Sequence, residues 1–97
     1  MVLGMSRHTC TVMIVNELGL HARAASKLVQ LTSRMPVDVQ IGREEMMVNA
    51  KSIMGVLMLA AAKGTELTLI ADGTDGDAAQ ALDAIRALIQ SRFGEER

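Results

Sequence analysis

His21 is preceded by Gly19-Leu20 and followed by Arg23 two places on, in the run Gly19-Leu20-His21-Ala22-Arg23-Ala24-Ala25. A neutral imidazole is a nucleophile, and a phosphorylated imidazole is a reactive donor. A ring placed where an anion is welcome can therefore take up a phosphoryl group and pass it on. If a helix begins here, His21 lies at its N-cap or just beside it, and the N–H groups of Ala22, Arg23 and Ala24 lack partners within the helix. Those donors coincide with the positive end of the helix dipole and make a ready anion site. Arg23 adds a permanent cation able to fork onto phosphate oxygens. Gly19, Ala22 and Ala24 are small and leave the ring open to a partner. The plainer alternative is an exposed cap or loop histidine without chemistry.

Ser52 is the other residue of interest, a hydroxyl in Lys51-Ser52-Ile53-Met54-Gly55. Its plain reading is a helix N-cap, worth about 0.5–2 kcal/mol against alanine. Little else in the chain has the makings of a site. Cys10 is the single cysteine, so it forms no internal disulfide, and it lacks the spacing of a metal or redox motif. It reads as a small core residue. His8 reads as a solvated residue ahead of the first strand, with no ligand partners. No metal or cofactor is expected. A stand-alone hydrolase or kinase is poorly supported, since there is no general base beside a nucleophile and no phosphate-binding P-loop.

The elements that must position these residues follow from periodicity. Thr9–Val15 alternates Cys10, Val12 and Ile14 against Thr9, Thr11, Met13 and Val15, a strand with one face on a core. Asn16–Gly19 breaks that pattern as a loop. Ala22 to about Arg34 is helix-favouring, with Ala25, Leu28, Val29 and Thr32 on one stripe and Arg23, Lys27 and Gln30 wet. Pro36 ends the helix at or before Met35. Val37–Ile41 and Met46–Ala50 read as a hairpin across a Gly42–Glu45 turn. A short helix is expected from Ile53 to about Ala61, with Lys63-Gly64 after it. A fourth strand follows over Glu66–Ala71, then a turn over Asp72–Gly76. Asp77 can cap a last helix whose stripe is Ala78, Ala81, Leu82, Ile85, Leu88 and Ile89. The order βαββαβα favours an α+β sandwich with helices over one sheet face.

The 97 residues suit a single domain, 1–97, with an ordered core over about 6–93. About half are hydrophobic, yet Phe93 is the only aromatic, so the core is built from Val, Ile, Leu, Met and Ala. The chain offers no aromatic platform for stacking bases, and a net charge of −1 provides no basic footprint for nucleic acid. Met1–Met5 is too short for a signal peptide, and no run approaches the ~20 apolar residues that span a bilayer. A cytoplasmic setting without membrane insertion is expected, as is a monomer.

Gly19-Leu20-His21-Ala22-Arg23 closely resembles the active-site signature of HPr-type phosphocarriers of the phosphoenolpyruvate-dependent phosphotransferase system. Asn49-Ala50-Lys51-Ser52-Ile53-Met54-Gly55-Val56, followed by Ala62-Lys63-Gly64, is similar to a second block of that family, and Asp72-Gly73 ahead of an acidic, Ala-rich helix matches too. Asn16-Glu17-Leu18-Gly19 and the closing Ser91–Glu96 look most like its proteobacterial and nitrogen-related (NPr) branch. Many members carry Pro where this chain has Ala24; alanine restores a donor but leaves the helix start less rigid.

The resemblance implies a four-stranded antiparallel sheet, order 1-4-2-3, with three helices on one face. It implies that His21 takes a phosphoryl group on Nδ1 from the phosphohistidine of enzyme I and gives it to an EIIA-type domain, with Arg23 stabilising the phosphate. It also implies that Ser52 is a target of HPr kinase/phosphorylase, and that Leu20, Ile53, Met54 and Leu57 dock partners. The alternative on the short helix is that all its apolar residues are core; Met46, Met47 and Met58 read as filler. A regulatory adaptor acting mainly through Ser52 is the alternative function. A ferredoxin-like sensor or metal chaperone shares the element mix, but this chain lacks the paired cysteines a metal chaperone would need.

Overall fold

The computed structural model describes residues 4–97, so Met1–Leu3 of the apolar N-terminal stretch lie outside the described residues. Four strands and three helices follow in the order β1 (Met5–Met13), α1 (Ala22–Thr32), β2 (Asp38–Arg43), β3 (Met46–Asn49), α2 (Ile53–Met58), β4 (Glu66–Thr74) and α3 (Asp75–Gln90). The sheet order is β1-β4-β2-β3 and every pairing is antiparallel. Leu67, Leu69 and Ala71 of the inner strand β4 point into the core with Val12, Val39 and Ile41, while Thr9, Thr11 and Gln40 stay exposed on the other face. Helices supply the opposing layer: Ala24, Ala25 and Leu28 from α1, Val56 from α2, and Ala78, Ala81, Leu82, Ile85 and Ile89 from α3. This is the open-faced sandwich. No helix among the described residues is long and apolar enough to cross a membrane.

Several element limits differ from expectation, and pairing explains most of them. β1 and β4 pair from Met5↔Thr74 to Met13↔Glu66, so β1 begins earlier and β4 ends later than their apolar alternation, while β1 stops at Met13, short of Val15. The Asp72–Gly76 turn is therefore absent: Asp72 and Gly73 belong to β4, opposite Arg7 and Ser6. Arg7 bonds Asp72 through Nε at 2.8 Å. The cap of α3 moves with the strand end. Thr74, not Asp77, accepts the first-turn N–H, from Asp77 at 3.3 Å. His8 is a half-buried strand residue rather than a tail residue, and its Nε2 lies 2.8 Å from Asp75 Oδ1. Cys10 is only partly buried, at the edge of the core.

Gly42 is part of β2, not of the turn. A Cβ there would stand 2.0 Å from the Met46 carbonyl oxygen, so glycine is what lets β3 pair so closely. The turn shrinks to Glu44-Glu45. α2 stops at Met58 instead of near Ala61, because Ala60 takes a left-handed backbone (φ 47°). The released segment then serves the His21 loop. Met46 and Met58 are exposed, 38% and 65%, so neither is core filler.

Candidate functional site

His21 is the N-cap of α1. Its backbone is extended (φ −75°, ψ 178°), its carbonyl accepts the Ala25 N–H at 2.9 Å, and its side chain does not cap the helix. The ring is thereby free to turn outward while the first-turn N–H groups keep no helical acceptor. No carboxylate occupies that first turn to neutralise the dipole.

What fixes the ring's position is the preceding loop. Leu20 donates its N–H to the Ala61 carbonyl at 2.9 Å. That contact requires Gly19, whose φ is +68° and whose Cβ, if present, would be 2.5 Å from the same oxygen. Held by that bond, Leu20 turns inward, and His21 after it turns outward. Leu20 is 4% exposed and packs in the core, so it presents no docking surface, contrary to expectation.

A second pair of residues completes the site, and sequence reasoning missed both. Glu95 Oε2 lies 2.5 Å from His21 Nε2, and Glu95 Oε1 accepts from Asn16 Nδ2 at 2.9 Å. Asn16 is fully buried and also donates to the Gly19 carbonyl at 2.8 Å, tying the carboxylate to the loop that carries His21. Its Oδ1 has no partner among the described residues. Burial works against a charge on Glu95. The hydrogen bonds from Asn16 and His21, with the charges of His21 and Arg23, outweigh it and hold the carboxyl below the usual glutamate range.

Glu95 reaches the ring because the end of the chain folds back. Ser91 ends α3, and Arg92 and Phe93 take positive φ (60° and 55°) before Gly94. Each left-handed non-glycine residue costs about 1–2 kcal/mol. Full burial of the Phe93 side chain contributes roughly 1.5–3 kcal/mol and offsets much of that cost. Lys27 Nζ donates to the Phe93 carbonyl at 2.6 Å and latches the turn to α1. The one aromatic in the chain, followed by Gly-Glu, was the available sign that this segment is anchored.

Arg23 is exposed, with no carboxylate at ion-pair distance among the described residues. It lines a cavity of about 490 Å³ with Glu17, Leu18, Lys27 and Glu95. Ala22 is exposed and Ala24 is fully buried, its methyl packed in the core. Ser52 caps α2, its Oγ accepting the Gly55 N–H at 3.1 Å. Beside it Ile53 and Met54 are exposed, 42% and 71%, whereas Leu57 leans on the core and is only partly exposed. The structure thus brings His21, Arg23, Asn16 and Glu95 together and leaves Ser52, Ile53 and Met54 on α2.

The family model for the PTS HPr component phosphorylation site matches residues 8–91. The chain is 52% identical over 82 residues to the phosphocarrier protein HPr of Cupriavidus necator, covering 84% of this chain and 90% of that one. It is 46% identical over 84 residues to the phosphocarrier protein NPr of Shewanella violacea, covering 87% and 90%. Among solved structures, HPr from Thermoanaerobacter tengcongensis superposes with a TM-score of 0.86 at 39% identity, over 93% of this chain and 99% of that one. With the sheet order, the histidine N-cap and these likenesses together, the chain belongs to the HPr family of phosphocarrier proteins of the phosphotransferase system.

Proposed function

We propose that this chain accepts a phosphoryl group on Nδ1 of His21 from the phosphohistidine of enzyme I and donates it to an EIIA-type domain. The observation that carries this reading is the His21 ring itself: partly exposed at the start of α1, its Nε2 engaged by Glu95 and its Nδ1 without a partner among the described residues. The Nδ1 lone pair attacks phosphorus, the bond from phosphorus to the donor imidazole breaks, and that ring leaves. The phosphoryl oxygens meet the first-turn N–H groups of Ala22, Arg23 and Ala24, with the Arg23 guanidinium beside them. Return of the group to a second acceptor runs the same steps in reverse.

Exposed Ile53 and Met54 suit a docking role on partner surfaces, since methionine repacks against differing neighbours. Leu57, half-covered, adds an edge to that patch. Phosphorylation of Ser52 by an HPr kinase/phosphorylase would set two negative charges beside it and oppose docking of an acidic partner. The relay runs in the cytoplasm in this reading, and one copy of the chain suffices.

The relay is tested by charging the chain with enzyme I and phosphoenolpyruvate, removing both, and adding an EIIA-type domain. Movement of the phosphoryl mass from this chain to the acceptor supports the reading. Hydrolysis to free phosphate, with the acceptor unmodified although competent with another donor, contradicts it.

A further inference from the structure

We infer that Glu95, held by Asn16, is a positioning residue for His21: its carboxylate accepts the Nε2–H and so keeps the Nδ1 lone pair free for phosphoryl transfer. The inference rests on the proposed carrier chemistry at His21. It adds a residue from the far end of the chain, joined to the site only through the folded-back turn Arg92–Gly94.

An ionised carboxylate accepts hydrogen bonds and donates none. Whatever proton a neutral His21 ring carries must therefore sit on Nε2, facing Glu95 Oε2, and the lone pair must sit on Nδ1. Glu95 has no freedom to turn away. Its second oxygen is bonded to Asn16 Nδ2, and Asn16 is wholly buried and bonded to the Gly19 carbonyl. The carboxylate plane, the loop and the ring are thus one connected unit. A carboxylate bonded to one ring nitrogen orients the other toward the reaction, as the aspartate does for histidine in serine hydrolases.

The same contact has a consequence after transfer. When the P–N bond forms at Nδ1, the proton stays on Nε2 and the ring becomes a phosphoimidazolium. Glu95 stabilises that positive charge. In the onward step the P–N bond breaks, its electron pair returns to Nδ1, and a neutral imidazole leaves with its proton still on Nε2. No proton need be gained or lost at the ring in either direction.

The test is ¹⁵N NMR of the histidine-labelled full chain above the titration of the ring, with Glu95→Gln and Glu95→Ala. Glu45→Gln, on the exposed hairpin turn, controls for loss of one negative charge. In the wild type and Glu45→Gln the proton is expected on Nε2 alone. In both Glu95 variants the ratio of tautomers is expected to fall at least about tenfold, the scale of a charged hydrogen bond, with the circular dichroism unchanged. Transfer from enzyme I is expected to slow in parallel, about 10- to 100-fold. A wild-type ring protonated on Nδ1, or a tautomer ratio indifferent to Glu95, would overturn the inference. Failure of the carrier reading is distinguishable: enzyme I would then leave the wild type unmodified whatever the tautomer ratio.

Discussion

Lys27 and Phe93, 66 positions apart, are joined by a 2.6 Å hydrogen bond from the lysine Nζ to the phenylalanine carbonyl oxygen. The bond ties the first helix, which carries His21 at its cap, to the turn that delivers Glu95. Burial of Phe93 anchors that turn. Phe93→Ala is expected to destabilise the fold by about 3–5 kcal/mol, the usual scale for emptying an aromatic core site. Urea unfolding of wild type and variant measures it, and amide exchange at Gly94 and Glu95 should accelerate more than exchange within β4. Equal acceleration at both places would show that the turn is not held by Phe93.

Gly19 allows the close approach to Ala61 that aims His21. Gly19→Ala puts a methyl where only 2.5 Å separate Cβ from the Ala61 oxygen, on a backbone with φ of +68°. A loss of about 1–3 kcal/mol is expected from strain and the broken Leu20–Ala61 bond. The rate of His21 phosphorylation should fall in the surviving folded fraction as well. Calorimetry with the transfer assay separates the two effects.

Arg23 is exposed and makes no ion pair among the described residues, so Arg23→Ala should change stability by less than about 0.5 kcal/mol. In the proposed relay its effect falls on the transferring phosphoryl group, where losing one cation is expected to slow transfer about 10- to 100-fold. Raising ionic strength should narrow the gap between wild type and variant. A salt-independent gap would assign Arg23 a packing role instead.

The site was legible in the sequence where its logic is local. His21 before an alanine-rich run, with Gly19 ahead and Arg23 behind, reads as a helix start, and the histidine N-cap is what the structure contains. Glu95 and Asn16 were illegible because their meeting depends on Arg92 and Phe93 adopting left-handed angles, which side-chain type disfavours and only tertiary burial of Phe93 enforces. Leu20 was misplaced on the surface for a related reason. Its inward direction is set by the Ala61 contact, not by any local period. The strand limits went wrong in the same way, since polar Ser6, Arg7 and Asp72 extend β1 and β4 through backbone pairing that no hydrophobic alternation reveals.

Glu95 also makes stability depend on pH. Its carboxyl titrates below the glutamate range in the folded chain because Asn16, His21 and Arg23 together outweigh burial. A depressed folded-state value confers stability that is complete above the unfolded value and is lost as pH falls through the folded one. Wild type should therefore lose stability across the acid range below that of an ordinary glutamate, and Glu95→Gln should lose less over the same interval. Thermal midpoints measured across that range for both proteins decide it; parallel curves would remove Glu95 from the acid response.

Ser52→Ala removes the acceptor for the Gly55 N–H and should cost about 0.5–2 kcal/mol. Ser52→Asp retains a capping oxygen and should be nearly as stable as wild type, while its charge weakens binding to an acidic partner surface. Titration calorimetry against enzyme I compares the two. Equal affinity for Ser52→Asp and wild type would take Ser52 out of partner control.

The most direct measurement is the mass of the intact chain after incubation with enzyme I, Mg²⁺ and phosphoenolpyruvate, read before and after mild acid, for wild type and His21→Ala. The account predicts one acid-labile phosphoryl adduct on the wild type and none on the variant. An adduct that persists in His21→Ala, or a wild type left unmodified by an enzyme I shown to phosphorylate itself, would contradict it.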